Sequence, residues 1–114
     1  MFSEIEILKA ASSLARYAAQ RQALVAENIA NADTPGYRAR DLEPFGVAFE
    51  RAAGVPATFV ERPSAYPGPA NPNGNNVSLE DELRRGAENA RDHATALAIY
   101  GKTLAILRAS LGGR

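Results

Sequence analysis

The sequence predicts a mainly α fold, with long N- and C-terminal helices pairing as an antiparallel, coiled-coil-like hairpin. A Pro-, Gly- and Asn-rich loop region with one candidate short strand lies between them. Three observations carry this. Residues 3–30 contain neither Gly nor Pro and repeat apolar side chains at helical spacing. Leu83, Ala90, Leu97, Leu104 and Leu111 recur every seven residues. Between these stretches, Pro56, Pro63, Pro67, Pro69 and Pro72 are five of the seven prolines in the chain. At 114 residues the chain is one domain, 1–114. It divides into an N-terminal helix (1–31), a turn segment (32–43), a short helix (44–53), a loop region (54–77) and a C-terminal helix (78–111).

The first helix runs from about Ser3 to Ala30, rich in Ala, Leu, Arg, Gln and Glu. Ile7, Ala11, Leu14, Ala18 and Val25 form its apolar stripe, with Arg21 as a polar interruption. At ~1.5 Å per residue the rod is roughly 40 Å long. Asn31 suits a left-handed C-terminal cap. Pro35 biases Thr34 away from helix, and Pro35-Gly36 fits the centre of a type II turn. Pro44 opens a second, short helix, with Leu42, Phe45 and Phe49 on one face and Gly54 ending it. From Gly54 to Asn76, Asn71, Asn73, Asn75 and Asn76 add turn chemistry to the prolines, and Ala57-Thr58-Phe59-Val60 is the candidate strand. Ser78 caps the last helix, whose first turn carries Glu80, Asp81 and Glu82 at the positive end of the dipole. Ala87, Ala94 and Gly101 interleave with the leucine repeat, so the seam has a large edge and a small edge that lets another helix approach closely. This helix is roughly 50 Å long and ends at Gly112-Gly113.

The 13 basic and 13 acidic side chains cancel, which leaves no global field to attract nucleic acid or an anionic membrane. Without cysteine there is no disulfide, thiolate metal site or thiol nucleophile. No apolar run approaches the ~20 residues of a membrane-spanning helix. Met1 to Leu8 carries Glu4 and Glu6 and does not read as a cleaved signal. Much of the apolar content is alanine, so a single-chain core is shallow and the helices call for partner helices.

The residues offer little chemistry. His93 is the only histidine, and with Asp92 and Glu88 it makes a far weaker case for a metal than for a solvated helical side chain. No phosphate loop or nucleophile triad can be argued, so no enzyme activity, cofactor or metal is expected. Glu80-Asp81-Glu82 reads as helix-start electrostatics, and Asn76-Val77-Ser78 as a chance glycosylation sequon. Arg84-Arg85 and Arg38 with Arg40 read as solvated faces, with contact to an acidic neighbouring subunit as the sharper alternative. Phe45 and Phe49 read most simply as core.

Asn28-Ile29-Ala30-Asn31-Ala32-Asp33-Thr34-Pro35-Gly36-Tyr37 resembles the N-terminal signature of flagellar rod, hook and hook-associated axial proteins. Gln20-Arg21-Gln22 with Leu24 before it, and Arg38-Ala39-Arg40-Asp41-Leu42 after it, resemble the proximal rod proteins of the FlgB type. Gly74-Asn75-Asn76-Val77-Ser78-Leu79-Glu80-Asp81-Glu82-Leu83 and Ala87-Glu88-Asn89-Ala90 resemble the start of that family's C-terminal helix. His93 departs from the pattern, standing where an aromatic is expected, and residues 54–73 match nothing in it.

The resemblance implies a structural subunit of the proximal rod of the bacterial flagellar basal body, polymerising with itself and other rod proteins into the drive shaft for motility. Its further implied partners are the membrane-ring/rod junction protein and, transiently, the type III export apparatus, with neither nucleic acid nor membrane insertion. Its implied place is the periplasmic rod, reached without a cleaved signal. Asn28, Asn31, Thr34, Pro35, Gly36 and Tyr37 are then the assembly motif. Ile7, Leu14, Val25, Leu83, Ala90, Leu97, Leu104 and Leu111 form the helix seam, and Phe45 and Phe49 a candidate export-gate element. The competing reading is a cytosolic helical-hairpin adaptor or export chaperone of the flagellar secretion system, which does not need the Thr34-Pro35-Gly36-Tyr37 turn.

Overall fold

The computed structural model describes residues 3–53, 55–65 and 67–112. Its elements in chain order are α1 (Glu4–Ala30), β1 (Arg40–Leu42), α2 (Phe45–Ala52), β2 (Glu61–Pro63) and α3 (Leu79–Gly112). The α1 and α3 helices form the antiparallel hairpin that the sequence predicts, and the shape is a rod of 65 × 25 × 17 Å. Its radius of gyration of 17.5 Å exceeds the ~13 Å of a compact chain of this length, so little of the hairpin is wrapped by other elements.

Each helix start follows from its cap. Ser3 and Glu6 form a reciprocal capping box, with Ser3 Oγ accepting from Glu6 N (3.2 Å) and Glu6 Oε1 accepting from Ser3 N (3.1 Å). Ser78 Oγ accepts from Asp81 N at 3.3 Å at the start of α3. At the end of α1 the expected left-handed cap is absent, since Asn31 has φ −104°. Its backbone and side-chain N–H groups both donate to Glu27 O instead, which closes the last turn without positive φ. Gly36 supplies the positive φ (+76°) five residues later, and Tyr37 N donates to Thr34 O (3.2 Å), as the type II turn requires. Pro44 sits one position earlier than expected, as the N-cap residue of α2. The left-handed residue after α2 is Ala53 (φ 51°), while Gly54, the expected terminator, lies outside the described residues. Gly113 does too, and α3 continues through Gly112.

The middle segment differs from expectation. Residues 57–60 are not a strand; the strand is β2, and it pairs antiparallel with β1, which the sequence did not reveal. The register sets Arg40 opposite Pro63, Asp41 opposite Arg62 and Leu42 opposite Glu61. Tertiary contacts dictate this choice. Ala57 is buried with its carbonyl accepting from Arg16 Nη1 (3.2 Å), and Phe59 stacks edge-on against Tyr17. These contacts take up Ala57 and Phe59 and leave Glu61–Pro63 to pair. The small core of Tyr17, Leu24 and Leu42, flanked by Leu14, Phe45 and Phe59, ties α2 and the β-ribbon to one side of α1.

The seam also needs correction. Toward α3, α1 buries Ala11, Ala18 and Val25, seven residues apart, while Ile7 and Leu14 are half-buried, Leu14 against the aromatic cluster. The buried line of α3 is Glu82, Asn89, Ala96 and Thr103, also seven apart but one residue before the leucines. Leu83, Leu97 and Leu111 are 66%, 52% and 85% exposed, Ala90 is exposed and Leu104 half-buried. A heptad repeat identifies an apolar stripe and not its partner. Here polar anchors choose the inner face, and Gly86 permits close approach, since a Cβ on it would lie 3.4 Å from Val25 Cγ1.

Candidate assembly interface

The two segments that resemble axial proteins lie far apart in sequence and interlock at the turn end of the hairpin. Asn28, fully buried on the last turn of α1, satisfies all four of its amide valences. Its Nδ2 donates to Arg40 O (2.8 Å) and Glu82 Oε1 (2.9 Å); its Oδ1 accepts from Tyr37 Oη (2.8 Å) and Arg40 N (3.1 Å). One side chain thus joins α1, the turn, β1 and α3. Asn75, also fully buried, donates from Nδ2 to Asn31 O (2.9 Å) and Thr34 O (2.8 Å) and accepts at Oδ1 from Val77 N (2.9 Å). Asn76 Oδ1 accepts from Ala39 N at 2.6 Å, and Gly36 N donates to Asn73 O at 2.8 Å. Gly74 has φ +88° and Gly36 φ +76°, so both loop positions need the backbone freedom of glycine.

Ion pairs extend this clasp. Arg21, the polar interruption of the α1 stripe, makes a bidentate pair with Asp41 at 2.9 and 3.0 Å. Arg85 is buried and donates to Glu82 (3.0 Å), Asp81 (2.6 Å) and Ser64 Oγ (2.9 Å), with Asp41 at 3.6 Å. Arg85 is therefore not on a solvated face, whereas Arg84 is exposed and pairs with Asp81 and Glu88. Arg38 is exposed, and Arg40 pairs with Glu61 (3.2 Å). Beyond β1, the fully buried Glu43 side chain accepts two bonds from Arg51 (2.7 and 2.6 Å) and one from Val60 N (2.8 Å). The Arg51 guanidinium, then the Val60 amide, hold its carboxyl down to about 2.

Thr34, Pro35 and Gly36 are exposed at the tip of the clasp, with Asn31 and Tyr37 half-buried. Asn28, Asn31, Thr34, Gly36 and Tyr37 each make hydrogen bonds within the chain's own fold. Phe45 and Phe49 stack on one another at 5.4 Å and are half-buried against the aromatic core. His93 lines a groove with Ala18, Ala19, Gln22, Asn89 and Ala90, and no group of three or more metal-type ligands occurs among the described residues. Sequence reading missed Asp41, Glu43, Asn75, Asn76, Glu82 and Arg85 as organising residues. Arg21 on an apolar stripe was the available signal, because a charge there needs a buried partner.

A profile of the family described as "Flagella basal body rod protein" matches residues 8–38, from α1 through the turn to the first half of the clasp. The flagellar basal body rod protein FlgB of Salmonella typhimurium is 35% identical over 108 residues, covering 75% of this chain and 78% of that protein. This chain belongs to the FlgB family of flagellar basal body rod proteins. FlgB of Cereibacter sphaeroides is 34% identical over 110 residues, covering 82% of this chain and 84% of its own length. FlgB of Yersinia enterocolitica is 30% identical over 105 residues, with coverages of 73% and 77%. Family membership makes the chain a structural component of the flagellar rod, and the adaptor or chaperone reading is not favoured.

Proposed function

We propose that this FlgB-family chain is a non-catalytic proximal rod subunit in the periplasmic part of the basal body. It polymerises with copies of itself and other rod proteins into the drive shaft and meets the membrane-ring/rod junction protein at the base. One observation supports this most: the clasp fixes the hairpin rigidly, yet the leucine line of α3 stays outward, where only another subunit can cover it. Deleting the gene should abolish rod, hook and filament while sparing the membrane ring, and normal hooks in the deletion strain would overturn the reading. Gly36→Val, which puts a β-branched residue at φ +76°, should block rod assembly more than export.

Delivery is through the flagellum's own type III apparatus, with Phe45 and Phe49 as the gate-docking element. Their burial in the folded chain fits a signal read only while the chain is unfolded. Secretion unchanged by Phe45→Ala with Phe49→Ala would remove that role.

A further inference from the structure

Asn73-Gly74 is the one Asn-Gly pair in the sequence, and no Asp-Gly pair occurs in it. Asparagine is a thermolabile side chain. A glycine after it leaves the next backbone nitrogen unscreened, because no Cβ stands beside that nitrogen. The clasp ties down the atoms that would react. Pro72 and Asn73 form the centre of a turn in which Gly74 N donates to Asn71 O (2.8 Å). Asn73 Oδ1 accepts from Asn75 N (3.1 Å), and Asn73 O accepts from Gly36 N across the clasp (2.8 Å). Asn71 N donates to Asn75 O (2.8 Å) and closes the loop at its base. Asn73 itself is exposed, so water reaches its amide. Asn75 and Asn76, the next asparagines, are buried and precede Asn76 and Val77 rather than glycine.

We infer that Asn73-Gly74 is a spontaneous deamidation site that the closed clasp guards, and that its isoaspartate product keeps the clasp from closing. In the reaction the Gly74 nitrogen gives up its proton to water and attacks Asn73 Cγ. The N–Cγ bond forms, the Cγ–Nδ2 bond breaks, and Nδ2 leaves as ammonia with a proton returned from water. The product is a five-membered imide whose nitrogen bears no hydrogen. It cannot keep the bond to Asn71 O that Gly74 N makes in the folded chain. Ring closure therefore breaks the turn, and the folded chain reacts only as often as this loop opens. Water then opens the imide at one of its two carbonyls. Addition at Cγ leaves aspartate with the main chain unaltered. Addition at the main-chain carbonyl of residue 73 leaves isoaspartate, so that the chain runs through Cβ and Cγ. The carbonyl that accepts from Gly36 N becomes a free carboxylate beside the chain. The lengthened path also displaces Asn75, whose bonds to Asn31 O and Thr34 O lock the loop to the turn. A chain left unfolded thus gathers a backbone defect at its clasp, and a folded chain is spared.

The full chain, incubated at mildly alkaline pH in native buffer and in concentrated urea, tests this. The peptide holding residue 73 is followed by mass and by chromatography that separates aspartate from isoaspartate. In urea, Asn73 should convert ahead of the other six asparagines. In native buffer its conversion should be slower by roughly tenfold or more. Equal rates in the two solvents would overturn the guard, and faster conversion of another asparagine in urea would overturn the site. The consequence is read by refolding the isoaspartate form beside Asn73→Asp, which carries the same added charge on an unaltered main chain and keeps an acceptor for Asn75 N. The isoaspartate form should melt well below Asn73→Asp. Equal melting temperatures would show that the clasp closes over the defect, and that half of the inference would fall.

Discussion

At the turn end of the hairpin, Asn28, Asn75, Glu82 and Arg85 are sealed from solvent, and their contacts run to backbone and side chains of four elements. Along the shaft, Ala11, Ala18 and Ala96 meet across a thin, small-residue seam. The clasp is dense in directional contacts, whereas the shaft relies mainly on small side chains, with Asn89 as its buried polar anchor to the Ala18 carbonyl and Gln22. Alanine seams tolerate sliding, because each methyl buries little area and one register resembles the next. A buried amide with four partners tolerates none. The clasp thus sets the register of helices whose own packing would leave it loose, and it does so at the end where the chain turns.

The largest effect should come from breaking the clasp. Asn28→Ala leaves the Arg40 N–H and C=O, the Tyr37 hydroxyl and one Glu82 oxygen without their partner. A loss of about 3–5 kcal/mol is expected in urea unfolding, most of the stability of a small domain. A loss below about 1 kcal/mol would mean that water replaces the amide and that the clasp is not the organiser. On the shaft, Ala96→Leu inserts bulk at a fully buried seam position and should cost about 1–3 kcal/mol by the same measurement. Equal losses at the two sites would erase the contrast between them.

Much of this contrast was half-legible in the sequence. Helix lengths, the Ser3 and Ser78 starts, the Pro35-Gly36 turn and the existence of a leucine stripe, though not its outward direction, follow from local rules, because caps, turns and periodicity act over a few residues. The inner face of α3 was not legible. Its line of Glu82, Asn89, Ala96 and Thr103 looks like solvent-facing sequence, and only pairing with Asn28, Gln22 and the Ala18 carbonyl makes it interior. Strand β1 was hidden for the same reason: three residues, two of them charged, become a strand because Asn28 and Asn76 hold the neighbouring backbone. The asparagines of 71–76 read as loop punctuation, and the buried amides among them emerge only once the two chain ends meet.

A milder probe acts through pH at the flank of the clasp. Glu43 holds its carboxyl at about 2 in the folded chain, against an ordinary value of 4.5. The folded form therefore binds this proton less readily than the unfolded chain does. The Glu43 contribution is complete above about 4.5, declines as pH falls and is gone below about 2. Glu43→Gln should flatten that part of the acid-unfolding curve, and thermal melts of both proteins across the window check it. An unchanged acid limb would show that the Glu43 carboxylate does not govern acid unfolding.

The smallest effect on stability should come from the leucine line. Leu83 is 66% exposed, so Leu83→Ala removes few intrachain contacts and should move the unfolding free energy by less than about 0.5 kcal/mol. Helix propensity does not offset this prediction, since alanine is at least as good a helix former as leucine. What Leu83→Ala removes is a knob on the outward face, so its cost should appear as reduced swimming in a complemented strain with the subunit still folded and secreted. A variant that unfolds would return Leu83 to the interior seam. One that folds, is secreted and swims normally would show that subunit contacts do not use this leucine.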